Sequence, residues 1–227
     1  MKLLENNRLS ALTSFLTSRS VGDRVINGRV EAFSCKRAGE DKKLSKKLEQ
    51  QYADELSTSP AGVLGSSPLG AMSESATRKL LIDLISTLNA SFPDHDFSAL
   101  RPEEFCRERN ADLVARATNR HLAEIATQQA GVLEELWAAI DDAAGLRDCE
   151  VFSYVPDYDS DPFSEGVLWS FNYFFFNKTL KRIVYLSCVA KSAYTNASPT
   201  ECDYDDGFRI ENDDHLHPAD EIMVMDD

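Results

Sequence analysis

The chain has 227 residues, enough for one good hydrophobic core, and its 38 acidic against 24 basic side chains give a net charge of −14. That balance argues against direct nucleic-acid binding, which needs a basic footprint, and the lack of an apolar run of transmembrane length or a signal-like start predicts a soluble, intracellular chain with no membrane partner. Five cysteines, Cys35, Cys106, Cys149, Cys188 and Cys202, make an odd set with no C-x-x-C pair, which predicts buried thiols in a reducing compartment and neither metal nor cofactor.

In chain order, residues 5–16 place Leu9, Leu12, Phe15 and Leu16 at helical spacing. Residues 23–35 carry β-branched and aromatic side chains around Asn27-Gly28 and read as a bent strand with a glycine bulge. From 36 to 76 the pattern dissolves into a lysine-rich piece (Lys42, Lys43, Lys46, Lys47) and then serine, proline and glycine, the composition of a mobile insertion within one domain. Helical spacing returns at 75–89, closed by Pro93, then in a short turn at Pro102. A helix capped by Asn110 is expected to run to Thr127 with Leu113, Ala117, His121 and Ile125 along one side. Another covers 131–144, ending at Gly145.

Three strands follow, at 149–155, 167–176 and 180–190, with turns short enough for antiparallel pairing. The second is the most aromatic stretch of the chain. Trp169, Phe171, Tyr173 and Phe175 share one face, Leu168, Ser170, Asn172, Phe174 and Phe176 the other, a pattern of core packing rather than of a stacking surface. Together these elements predict an α+β single domain, residues 1–35 and 77–200, with a four- or five-stranded antiparallel sheet packed by helices. A mobile insertion occupies 36–76 and an acidic tail 201–227. The tail holds eleven carboxylates and one arginine, so most of the net charge belongs to it and disorder is expected there.

Ahead of the aromatic strand, Asp157, Asp159 and Asp161 lie between Pro156 and Pro162, a spacing that predicts exposed carboxylates. A calcium loop needs glycine at its sixth position and glutamate at its twelfth; Pro162 and Leu168 stand there. An aspartyl phosphotransferase motif fails at Asp161 and lacks the alternating strand and helix pattern. The turn therefore reads as a negatively charged docking element for a basic partner, with a metal-dependent enzyme or ion-binding protein as the alternative. No phosphate-binding glycine loop, nucleophile elbow or Cys–His pairing is visible, so no catalytic residue is assigned.

PDYDSDPF followed by LWSFNYFFFNKTLKRIV closely resembles the signature of the Maf family, eukaryotic repressors of RNA polymerase III, plant members included. MKLLE with SCK-x-x-G-x-DKK at 34–43, and LIDLISTLNASFPDHDFS at 81–98, are similar to two further boxes of that family, His95 standing where it usually has tyrosine. The resemblance implies a non-catalytic regulator of nucleus and cytoplasm, controlled by phosphorylation, that binds the polymerase at its clamp and initiation subunits and blocks initiation. Protein kinases and phosphatases and a nuclear import receptor complete the implied partners.

In residues, Asp157, Asp159, Asp161, Lys42 and Lys43 are the candidate partner-binding positions, and Lys42, Lys43, Lys46 and Lys47 the candidate import signal. Ser45, downstream of lysines, suits a basophilic kinase, and Ser59-Pro60 and Ser67-Pro68 suit a proline-directed one. A phosphate at Ser45 neutralises the lysines around it, and the tail is expected to contact those lysines when Ser45 is unmodified.

Overall fold

The computed structural model describes residues 1–37, 39–58, 67–155 and 166–196. They run as β1 (Lys2–Leu4), α1 (Asn7–Leu16), β2 (Arg19–Val21), β3 (Arg24–Ser34), α2 (Glu40–Thr58), α3 (Ser75–Ser91), β4 (Phe105–Arg107), α4 (Ala111–His121), α5 (Ala123–Gln128), α6 (Val132–Ala144), β5 (Glu150–Tyr154), β6 (Val167–Asn177) and β7 (Arg182–Ser192). The strands form one antiparallel sheet in the order β1-β3-β7-β6-β5-β4, with β2 also paired to β3. Its centre is the three 11-residue strands β3, β7 and β6.

Alternation puts successive side chains on opposite faces, and in β6 and β7 both sets include large apolar residues, so both faces need cover. Phe171, Phe175, Val184, Leu186 and Cys188 pack under α1, α4, α5 and α6. Phe33, Phe174, Ile183 and Tyr185 pack under α2 and α3. The result is an α+β domain with helices on both sides of the sheet. Seven strands stand where four or five are expected, because β1, β2 and β4 have three residues each, too short to show a period.

Local chemistry fixes how α1 sits. The Asn6 side chain caps it, accepting from the amides of Arg8 and Leu9 at 3.0 and 3.2 Å. Leu9, Leu12 and Leu16 then face the sheet. Between β1 and β2 the edge of β3 has no strand neighbour, and the Thr13 hydroxyl substitutes for one, accepting from Val30 N–H and donating to Val30 C=O, both at 2.9 Å. Gly28 holds a regular place opposite Cys188, so the expected bulge is absent. Its role is clearance: a Cβ at Gly28 would lie 2.8 Å from the Leu16 Cβ. The register irregularity falls instead in β6, between Val167 and Trp169.

The stretch 36–76 departs most from its reading as a mobile insertion. Residues 40–58 are helix α2, because Leu44, Leu48 and Tyr52 recur every fourth residue among the lysines and bury a stripe against α3. Beyond it, Leu69 and Met72 are also buried in that core. The helix expected from Asn110 to Thr127 is divided at Leu122, which turns inward while Leu113 is exposed. Val114 and Thr118 form the inner side of α4. Helix α6 ends, as expected, on a left-handed Gly145 (φ +66°).

Candidate functional site

The lysine-rich helix and the strand end preceding it form a charged knot. Past β3, Arg37 reaches between α2 and α3: its Nη2 and Nε donate to Asp83 Oδ1 at 2.6 and 3.1 Å, and Nη2 also reaches the Lys79 carbonyl at 3.1 Å. Its Nη1 donates to the Ser45 hydroxyl at 2.7 Å. The Asp83 side chain is only 3% exposed. Burial pushes its carboxyl above the usual range and Arg37 pulls it back. The neighbouring Cys35 thiol is pushed up to about 12, by burial first and the Asp83 charge second, which makes it a poor nucleophile. A second tie joins the same helices, Arg78 to Glu49 at 3.1 Å.

Ser45 is therefore a buried, hydrogen-bonded side chain on the inner side of α2, while Lys42, Lys43, Lys46 and Lys47 are exposed on the outer side. Helical periodicity separates what the sequence places side by side. Lys47 lies near Asp96, whose carboxyl is held low chiefly by its hydrogen bonds with Ser98. Arg37 and Asp83 escape a reading by motif. Their only sequence signal is a charged residue inside an apolar helix, Asp83 in LLIDLI, which demands a partner.

Ser67 closes a tight turn, its hydroxyl donating to the Gly70 carbonyl at 2.7 Å and its amide pairing there too. It is also buried, so a kinase reaches it only after local opening. Ser59, Asp157, Asp159 and Asp161 lie outside the described residues, as do the tail and its expected contact with the lysines. What flanks the acidic turn is described: Val155, exposed, donates its amide to the Glu104 carbonyl, and Leu168 beyond Gly166 is exposed as well.

The aromatic strand packs as expected, on both sides. Trp169 and Phe171 stack at 5.9 Å and Phe171 and Tyr173 at 5.4 Å on one face, while Phe174 meets Tyr185 at 4.9 Å on the other. His121, exposed at the end of α4, lies 4.8 Å from Trp169, and partial desolvation with Arg120 beside it holds the imidazole below its ordinary value. Among the described residues, no group of three or more His, Cys, Asp or Glu is placed to hold a metal, and no helix is long and apolar enough to cross a membrane.

Comparison with known proteins adds what geometry alone does not. Residues 26–187 match the family model described as Maf1 regulator. The chain is 34% identical to the "Repressor of RNA polymerase III transcription" of Dictyostelium discoideum, covering 83% of this chain and 84% of that one. It is 38% identical to the Schizosaccharomyces pombe protein of the same description, covering 82% of each. A crystal structure of citrus MAF1 superposes with a TM-score of 0.64 at 35% identity, over 81% of this chain and 98% of that one.

Proposed function

The chain belongs to the Maf1 regulator family, and from that we propose that it represses transcription by RNA polymerase III by docking on the polymerase and blocking initiation, without turning over a substrate. The observation that carries the reading is the family match across 26–187, which takes in most of the folded domain. The finer assignments rest on the chain's own chemistry. Asp157, Asp159 and Asp161 form a proline-bounded acidic docking element, and Lys42 and Lys43 a basic one. Polymerase clamp and initiation subunits are the partners, and the protein works in nucleus and cytoplasm, with Lys42, Lys43, Lys46 and Lys47 read by an import receptor.

Phosphorylation, reversed by phosphatases, is the proposed control, and the Arg37–Ser45 bond supports a specific form of it. A kinase binds its target as an extended segment, so modification of Ser45 requires the first turns of α2 to leave α3. Once attached, the phosphate presents strong acceptors to Arg37 and competes with Asp83 for the guanidinium. Ser59 belongs to the same proposal; Ser67 enters it only through opening of its turn.

Reconstituted transcription with purified polymerase tests the reading. Addition of the protein before promoter loading is expected to abolish initiation, and addition after escape to leave elongation unaffected. Asp157→Asn/Asp159→Asn/Asp161→Asn is expected to weaken polymerase association while leaving the melting temperature unchanged. Full association by that variant removes the acidic turn from the interface. Metal-stimulated turnover by the purified protein instead supports the ion-dependent reading of the turn.

A further inference from the structure

Lysines gather at one end of the sheet. Ser34, the last residue of β3, lies opposite Lys2 on one side and Arg182 on the other, and the Cys35 amide donates to the Lys181 carbonyl at 2.9 Å. Lys2, Lys36 and Lys181 therefore stand together at that end. Lys178 lies in the same β6–β7 turn, where Asn177 Oδ1 accepts from the Leu180 amide at 2.9 Å. All four lysines are exposed. Other surface cations are answered, Arg8 by Glu135 and Asp142, Arg24 by Asp23 and Arg107 by Glu150. Among the described residues, none of these lysines has an ion pair.

Two leucines stand among them. Leu180, at the hairpin tip between Lys178 and Lys181, is 52% exposed, and Leu3, beside Lys2 on the edge strand β1, is 53% exposed. Both lie outside the two hydrophobic cores. The turn itself is closed by Asn177 and by Lys181 in the left-handed region (φ +51°), so its geometry does not call for a leucine at the tip. Recognition of a single phosphate or carboxylate favours the planar fork of arginine, and Arg182 beside the patch is tied back to the Ala143 carbonyl at 2.6 Å. What remains are lysines, hydrated point charges suited to a diffuse anionic surface, with apolar tips between them.

We propose that this end of the sheet, Lys2, Leu3, Lys36, Lys178, Leu180 and Lys181, docks peripherally on the surface of anionic phospholipid bilayers. The lysines meet the headgroups, each strengthening the contact about fivefold, and Leu180 enters the boundary between headgroups and acyl chains. That mode needs no spanning helix, the feature whose lack underlies the expectation of no membrane partner. Screening confines the field of the bilayer to about 8 Å at physiological salt, so the net charge of −14 opposes other orientations without cancelling this one. The surface does not depend on the proposed docking on the polymerase.

Flotation of the full chain with vesicles tests this, one set of phosphatidylcholine alone and one carrying about 30% phosphatidylserine. The anionic set is expected to carry the protein and the neutral set not, with binding that falls steeply as salt rises. Lys178→Glu/Lys181→Glu is expected to weaken binding more than about tenfold and Leu180→Ser about twofold, each with the melting temperature unchanged. Lys2→Glu/Lys36→Glu repeats the test on the other side of the patch. Arg116→Glu/Arg120→Glu makes the same change of net charge on the exposed side of α4 and is expected to keep full binding. No capture by the anionic set, equal capture by the neutral set, full binding by either lysine pair, or an equal loss in the α4 pair overturns the proposal. Release from the vesicles by poly-glutamate at equal charge concentration overturns it too, and makes the patch a docking face for an acidic protein segment.

Discussion

Arg37 and Asp83 meet at 2.6 Å across 46 residues of chain, and the carboxylate they share is sealed between α2 and α3. A buried pair of this kind is weak evidence of net stabilisation, because desolvation of both ions offsets their attraction, but removing one partner leaves a charge with nothing to answer it. The pair therefore acts as a latch: it specifies where the lysine helix docks.

Arg37→Ala is expected to destabilise the domain by about 3–5 kcal/mol, and Arg37→Met/Asp83→Leu by much less, since the double change leaves no orphaned ion. Urea unfolding of the three proteins checks the order. A single variant no worse than the double one removes the latch.

The raised carboxyl value of Asp83 gives a pH signature. The folded state holds the proton more tightly than the unfolded chain, so this group's contribution to stability is fully present below the ordinary value of 3.8 and is lost as pH rises through the folded value. The stability of the native protein relative to Asp83→Asn is expected to fall as pH rises above about 3.8 and then level off. A constant difference across that window contradicts the burial argument.

Gly28→Ala is expected to cost about 1–3 kcal/mol, because the new methyl meets the Leu16 Cβ at 2.8 Å and α1 has to lift. Thr13→Val, which removes both bonds to Val30, is expected to cost about 1–3 kcal/mol through unsatisfied backbone groups. Chemical denaturation measures both, and amide exchange in β3 localises the effect.

Phe174→Ala and Trp169→Ala are expected to separate. Phe174 is fully buried and its truncation is expected to cost about 3–5 kcal/mol, whereas half-buried Trp169 keeps part of its surface in water and its loss is expected to cost less. Equal costs would mean that the Trp169 stack with His121 and Phe171 is as tightly packed as the core.

In a Cys202→Ser background, maleimide labelling at neutral pH is expected to reach Cys106 first, since it is exposed on the edge strand β4. Burial pushes the Cys35 and Cys188 thiols up to about 12 and that of Cys149 up to about 11, so each holds little of the reactive thiolate. Mass mapping of early adducts decides it; early labelling of Cys35 would indicate that α2 opens readily.

The helices that follow Ser75 and Gly131, the three C-terminal strands and the two-faced packing of the aromatic strand were legible in the chain, because each carries its own period and its own stop: Pro93 after α3, Gly145 after α6, the Asn177-Lys178 turn before β7; the stretch from Asn110 to Thr127 was not, since nothing local marks the break at Leu122. Family membership was legible for a related reason, in that short ordered segments survive as contiguous words. The three-residue strands were not, since so few residues show no alternation and are held by pairing with β3 and β5. Nor was α2, whose apolar stripe of Leu44, Leu48 and Tyr52 is outnumbered by lysines and is stable as a helix only against α3. Only tertiary structure turns Ser45 inward to Arg37 while its neighbouring lysines face water, and only the docking of α2 on α3 brings Arg37 to Asp83. These are relations between residues far apart in the chain, set by packing, and no local pattern contains them.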